Sequence, residues 1–230
     1  MSYFQFELAY AYKSWAETAH NAHSIFRDTN GNKLLILKTS VENSCKARYG
    51  NLNEIPTSGA SATTGRHDGQ NYSGIIGSEK LAEKDLESMK SYKHIIKSVS
   101  RKTGVDAAII AGIISRESRA GRALDSNRYG DHGKAFGLMQ IDECHEHRYG
   151  AWDSEEHLLQ ATEILCSMFG YIKQKFPGWT RSQQMKGAIA AYNMGPDCVT
   201  SFNQIDMHTT GKDYSNDVVA RAKFYKRHGF

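Results

Sequence analysis

The stretch AAIIAGIISRES, residues 107–118, constrains the fold of this chain more than any other. Read at 3.6 residues per turn it is apolar on every side, and a helix with no polar face has to lie at the centre of a domain under other elements. Asp106 is placed to cap its start, with Val105 and Ile110 positioned to staple the entry. Gly121 is placed to stop it in a left-handed cap. The first acidic side chain inside this helix is Glu117, in the last turn. A carboxyl group at the end of a buried helix loses water, which disfavours its charged form and raises its pKa. Such a group can serve as a proton donor near neutral pH.

The segment that follows is spaced by glycines and carries Asp131 and Asp142, so it reads as loop and short strands around residues 129–142 rather than as more helix. One protonatable carboxyl with two ionised ones nearby is the equipment for acid/base cleavage of a sugar linkage. Plainer readings coexist. A glutamate flanked by Arg116 and Arg119 also suits a solvated ion pair, and aspartates beside glycines commonly cap turns.

The remaining chain supplies helices to cover the central one. Ser78 is placed as the N-cap of a long helix with Leu81, Leu86, Met89, Tyr92, Ile96 and Val99 inward, ended by Gly104. Asp153 with Glu156 forms a capping-box pattern before a helix carrying Leu158, Leu165, Met168, Phe169 and Ile172, which Pro177 terminates. Thr180 with Gln183 repeats the pattern, opening a helix to Tyr192. A last helix, DYSNDVVARAKFYKRHG, buries Val218, Val219, Ala222 and Tyr225. Residues 49–77 are rich in Gly, Ser, Thr and Asn and are expected to wrap as loop. Residues 1–47 read as an extension without chemistry, with a hairpin signal at Asn30-Gly31. The expected architecture is mainly α: a helical domain over residues 48–230 around a buried central helix, with a small antiparallel sheet lining a cleft.

Bulk properties narrow the function. A chain of 230 residues with 29 basic and 25 acidic side chains has a formal charge of +4. That suits an anionic polymer but falls short of a nucleic-acid footprint, so no nucleic acid is expected. The N-terminus, MSYFQFELAYAYKSW, lacks a basic n-region and is interrupted by Gln5, Glu7 and Lys13, unlike a secretory signal. No window offers the run of about 18 apolar residues that a membrane span needs. A protein outside the membrane, cytoplasmic or exported by an unconventional route, is expected. Cys45, Cys144, Cys166 and Cys198 include no C-x-x-C and are read as free thiols. His132, Cys144, His145, His147 and His157 lack the helical spacing that converges metal ligands, so neither a metal nor a cofactor is expected.

Taken together, GIISRES with Glu117, GDHGKAFGLMQID with Asp131 and Asp142, AAYNMG, and the closing DVVARAKFYKRHG resemble the goose-type lysozymes over about residues 48–230. The E-S, GLMQ and AYN elements are also similar to those of bacterial lytic transglycosylases. The resemblance implies a monomeric muramidase that hydrolyses the β-1,4 link between N-acetylmuramic acid and N-acetylglucosamine in peptidoglycan, an antibacterial activity. Glu117 matches the family's general acid, and Asp131 and Asp142 match the pair proposed to position water for inversion. Gln140, Tyr192, Asn193 and Tyr214 match cleft positions, and amides and aromatic rings suit sugars. The bird enzymes carry four disulfide-bonded cysteines, where this chain has Arg48, Ala62, Ser73 and Gly104. Two alternatives stand beside hydrolysis: a lytic transglycosylase on the same scaffold, and a non-catalytic module that binds peptidoglycan or chitin.

Overall fold

The computed structural model describes residues 49–67, 69, 71–142 and 148–230. The Asn30-Gly31 hairpin, Cys45, Cys144, His145 and His147 lie outside the described residues. Among the described residues, six α-helices and one small sheet make a mainly α fold. In chain order they are α1 (Ala62–His67), α2 (Gly74–Thr103), α3 (Ala107–Ser118), β1 (Tyr129–Gly130), β2 (Ala135–Phe136), β3 (Ile141–Asp142), α4 (Glu155–Lys175), α5 (Arg181–Met194) and α6 (Tyr214–Arg227).

The all-apolar helix is central, as its composition demands. In α3 every residue except Arg116 and Glu117 is buried, with α2 and α6 packed against it. Asp106 caps α3 as expected, its side chain accepting from the Ala108 amide. Around α3 lies one apolar core drawn from α2, α4, α5 and α6, including Met89, Ile96, Leu165, Met168, Ile189 and Val218. Capping chemistry sets the other ends. Thr180 and Gln183 form the reciprocal capping box at α5, and Gly104 ends α2 at φ 80°.

Three boundaries differ from the sequence expectation. The long helix starts at Gly74, one turn before Ser78, because Ser78 is fully buried and its hydroxyl accepts the Ala60 amide instead of capping. The left-handed stop of α3 falls at Arg119 (φ 56°) rather than Gly121, with the Arg119 amide bonded to the carbonyls of Ile114 and Ser115. The α4 cap is Ser154, which accepts from the His157 amide. Residues 49–77 are also more ordered than a wrapping loop, since they hold a 3-10 turn at Leu52–Glu54 as well as α1 and the start of α2.

The sheet is a three-stranded antiparallel meander in the order β1-β2-β3. Tyr129 pairs with Phe136 and Gly130 with Ala135, while Ala135 pairs with Asp142 and Phe136 with Ile141. Ten residues separate it from the C-terminal end of α3, and the Ser118 hydroxyl donates to the Leu138 carbonyl at 2.8 Å, so the end of the central helix touches the β2–β3 turn.

Candidate active site

Glu117 sits where a buried helix meets the surface. Its two arginine neighbours do not form the solvated ion pair that the sequence also allowed. The Arg116 guanidinium donates to Asp217 at 2.8 Å, Asp213 at 3.1 Å and the Thr210 carbonyl at 2.9 Å. The Arg119 side chain reaches Asp85 at 3.1 Å. Glu117 instead accepts a hydrogen bond from the Tyr214 hydroxyl. Burial pushes the Glu117 carboxyl up to about 7, outweighing the Tyr214 bond and the Arg116 charge that favour the carboxylate; the charge of Asp131 adds to the rise. This is the pKa that a general acid needs near neutral pH.

Tyr214 is itself buried, 1% exposed, and its hydroxyl is held far above its usual range by burial and by the Glu117 charge. It opens α6, and the carboxylate that caps this helix start comes from Asp206. Asp206 accepts from the Ser215 amide at 2.8 Å and the Asn216 amide at 3.0 Å, which suits the positive end of a helix dipole. Arg116 lies over the Tyr214 ring, 5.6 Å from its centroid. The donor to Glu117 is thus held by the capped helix start behind it and by Arg116 over its ring.

Asp131 occupies the tip of the β1–β2 hairpin and is exposed, with backbone in the left-handed region at φ 44°; His132 follows at φ 57°. Two consecutive non-glycine residues in that region store of order 1–3 kcal/mol each, strain that typically marks functional loops. Asp142 is exposed at the end of β3, opposite Ala135. Gln140, also left-handed at φ 53°, bonds the Gly137 carbonyl at 2.8 Å. Its amide lies across Gly130, where a Cβ would stand 2.1 Å from Oε1, so a larger residue there would push the Gln140 amide aside. The Tyr192 hydroxyl donates to the Met139 carbonyl at 2.9 Å, and the Asn193 side-chain oxygen accepts the Thr210 amide at 2.9 Å. A depression of about 400 Å³ adjoins the hairpin, with Leu124, Asp125, Tyr129 and Asp131 in its wall.

The structure therefore gathers Glu117 and Tyr214 by direct contact, puts Asp131 within electrostatic reach of Glu117, carries Gln140 and Asp142 on the β2–β3 turn and β3, and brings Tyr192 onto that turn from α5. The sequence reading gave Asp206 and Asp213 no role, named Arg116 only as an ion-pair neighbour of Glu117, and weighed His157 only as a metal ligand. Nothing local in the sequence marks them, because their partners are between 9 and more than 90 residues away. Among the described residues, no group of three or more His, Cys, Asp or Glu side chains is arranged to hold a metal ion. Cys166 and Cys198 are half-buried, and the Cys166 sulfur lies 2.9 Å from the Tyr49 hydroxyl.

A mainly helical domain with a desolvated glutamic acid at the end of its central helix, next to a small sheet bearing carboxylates, defines a lysozyme-like glycoside hydrolase. Comparison with known proteins is specific. The family model for lysozyme g matches residues 49–229. Lysozyme g of Struthio camelus is 53% identical over 182 residues, covering 79% of this chain and 89% of that protein. Lysozyme g of Takifugu rubripes is 53% identical over 184 residues, covering 77% of this chain and 96% of that protein. Lysozyme g-like protein 2 of Homo sapiens is 44% identical over 182 residues, covering 79% and 82% respectively. The chain belongs to the lysozyme g family and is a glycoside hydrolase of the muramidase class.

Proposed function

We propose that this protein hydrolyses the β-1,4 bond between N-acetylmuramic acid and N-acetylglucosamine in bacterial peptidoglycan with inversion at the anomeric carbon, as a monomer acting in antibacterial defence. Glu117, protonated in the free enzyme, donates its proton to the leaving glycosidic oxygen. Asp131 and Asp142 hold a water on the opposite face of the sugar and accept its proton as it attacks. An inverting enzyme needs that water between acid and base. Gln140, Tyr192 and Asn193 orient the sugar's amide and hydroxyl groups. Catalysis is carried by residues 48–230, with residues 1–47 outside the catalytic domain, and neither nucleic acid nor membrane takes part.

The observation that carries this reading is the Glu117–Tyr214 pair. Burial keeps the acid protonated near pH 7, while the Tyr214 bond favours the carboxylate. Once the proton leaves, the new carboxylate is met by a donor already in place, so the interaction is stronger late in the reaction than at its start. Replacing Glu117 by Gln is expected to abolish lysis of a Gram-positive cell suspension, a loss of roughly a thousandfold or more, with oligosaccharide binding nearly intact. Mass spectrometry of the digested wall separates the chemistries: reducing muramic ends support hydrolysis, whereas predominant anhydromuramic ends sink it in favour of a transglycosylase. Binding without turnover by the native protein would leave only a wall-binding module.

A further inference from the structure

The turn between β2 and β3, residues 137–140, is bolted to three helices through its own backbone. The Leu138 carbonyl accepts from the Ser118 hydroxyl at 2.8 Å, one residue beyond Glu117 on α3. The Met139 carbonyl accepts from Tyr192 on α5. The Met139 amide points the other way, into the core, and donates to Nε2 of His157 on α4 at 3.1 Å. His157 is fully buried. Gly137, at φ 77°, lies so close against the ring that a Cβ would stand 2.6 Å from Nε2 and Cε1, and Phe136 meets the ring edge-on at 5.9 Å.

Accepting an amide proton fixes the tautomer: Nε2 carries the lone pair and Nδ1 carries the hydrogen. Nδ1 is buried and has no hydrogen-bond partner among the described residues. An unpartnered buried N–H is a standing cost, which a phenyl ring of similar shape would avoid. What histidine alone brings to this place is the Nε2 acceptor. Without it the Met139 amide would be the orphan, and the turn would lose this tie to α4.

We propose that His157 is a positioning residue for the reaction: as a neutral imidazole it grips the Met139 amide and thereby fixes the turn that carries Gln140 and leads into Asp142, at the end of α3 that bears Glu117. The proposal rests on the roles given above to Gln140 and Asp142. His157 touches no substrate; it acts through the Gly137–Asp142 backbone. A displacement on the order of an ångström in a positioned group is enough to cost about a hundredfold in rate.

The wild type, two His157 variants and a control variant test it. In wild-type protein labelled with nitrogen-15, His157 is expected to show the Nδ1–H tautomer, with a through-bond coupling between its Nε2 and the Met139 amide nitrogen. A ring protonated at Nε2 would overturn the proposal before any variant is made. His157→Phe keeps the shape and removes the acceptor; its Met139–Asp142 amides are expected to exchange at least roughly tenfold faster while the α5 and α6 amides stay protected, and kcat to fall roughly 10- to 100-fold well below the Tm. His157→Gln, which restores an acceptor at similar reach, is expected to recover much of both. Thr162→Ala, which loses a buried bond confined to α4, serves as the stability control. Wild-type kcat in His157→Phe, no rescue by Gln, or an equal loss in Thr162→Ala at matched Tm would each overturn the positioning role. If His157→Phe fails to fold, the tautomer and the Gln variant still decide. Measuring Glu117→Gln in parallel keeps the two readings apart: a fully active Glu117→Gln indicts the catalytic assignment, while the exchange at Met139 still reports on the grip of His157.

Discussion

Glu117 has two states to support in one turnover, a neutral acid before the glycosidic bond breaks and a carboxylate after it. Burial serves the first and Tyr214 serves the second, and burial is the larger effect in the free protein. Activity that requires the protonated acid should therefore decline as pH rises through about 7. Tyr214→Phe removes a bond that favours the carboxylate, so it should raise the Glu117 pKa and move this alkaline limb to higher pH while lowering kcat. A pH–rate profile measured on both proteins checks the sign, and a limb that moves to lower pH contradicts the assignment. Asp131→Asn and Asp142→Asn are each expected to lose part of the turnover, on the order of tenfold, and the double variant more than either. Normal turnover in the double variant would show that neither carboxylate activates water.

The elements around Glu117 are held by charge as much as by apolar contact. Asp85 on α2 and Asp217 on α6 are fully buried; Arg221, itself 1% exposed, bonds Asp217 and forms a longer ion pair with Asp85 at 3.7 Å. Asp85 also accepts from the Ser115 hydroxyl at 2.7 Å and from Arg119, so α2, α3 and α6 are joined at the end of α3 that carries the acid. Burial raises the Asp217 pKa, but the charges of Arg221 and Arg116 outweigh it and hold it low. Removing one partner from such a network leaves an uncompensated buried charge and costs about 3–5 kcal/mol. Asp85→Asn should show a loss of that order by urea denaturation, larger than the loss from removing the exposed Lys90–Glu87 pair, which is worth under about 1 kcal/mol. The same element-level reasoning applies to the β2–β3 turn: Gly137→Ala puts a Cβ into the His157 ring at a left-handed φ and should cost at least about 1–3 kcal/mol.

For the molecule as a whole, two buried groups pull its pH dependence in opposite directions. Burial lowers the His157 pKa from 6.5 to about 4. Between those values the unfolded chain binds a proton that the native state refuses, so this group makes stability rise with pH, by at most roughly 3 kcal/mol. Glu117 is raised from 4.5 to about 7, so over that interval the native state keeps a proton that the unfolded chain releases, and stability falls as pH rises. From pH 4.5 to 6.5 the two slopes oppose. Wild-type stability should be nearly flat across this window, Glu117→Gln should gain stability with rising pH, and His157→Gln should lose it. Denaturant midpoints at the two ends of the window separate the cases; parallel curves for all three proteins would refute both shifts.

Much of the fold was legible because its signals are local. An apolar run with no polar face has one place to go, and α3 is there; Gly104, Asp106 and the Thr180–Gln183 box act within a few residues and could be read directly. Of the boundaries that differed, the start of α2 was decided by a distant partner, the amide of Ala60, which takes Ser78 from its capping role, whereas the α3 and α4 ends moved by only one or two residues and rest on local bonds. For the site, the sequence by itself determined which carboxyl is desolvated, since the composition of residues 107–118 forces Glu117 to the mouth of the core. It also supplied the motifs that place the chain among its relatives. Only the tertiary structure decided what surrounds that acid. Tyr214 lies 97 residues from Glu117, and His157 lies 18 residues from the amide it holds. Periodicity reports which face of an element is buried, whereas a hydrogen bond between elements depends on how two buried faces are set against each other.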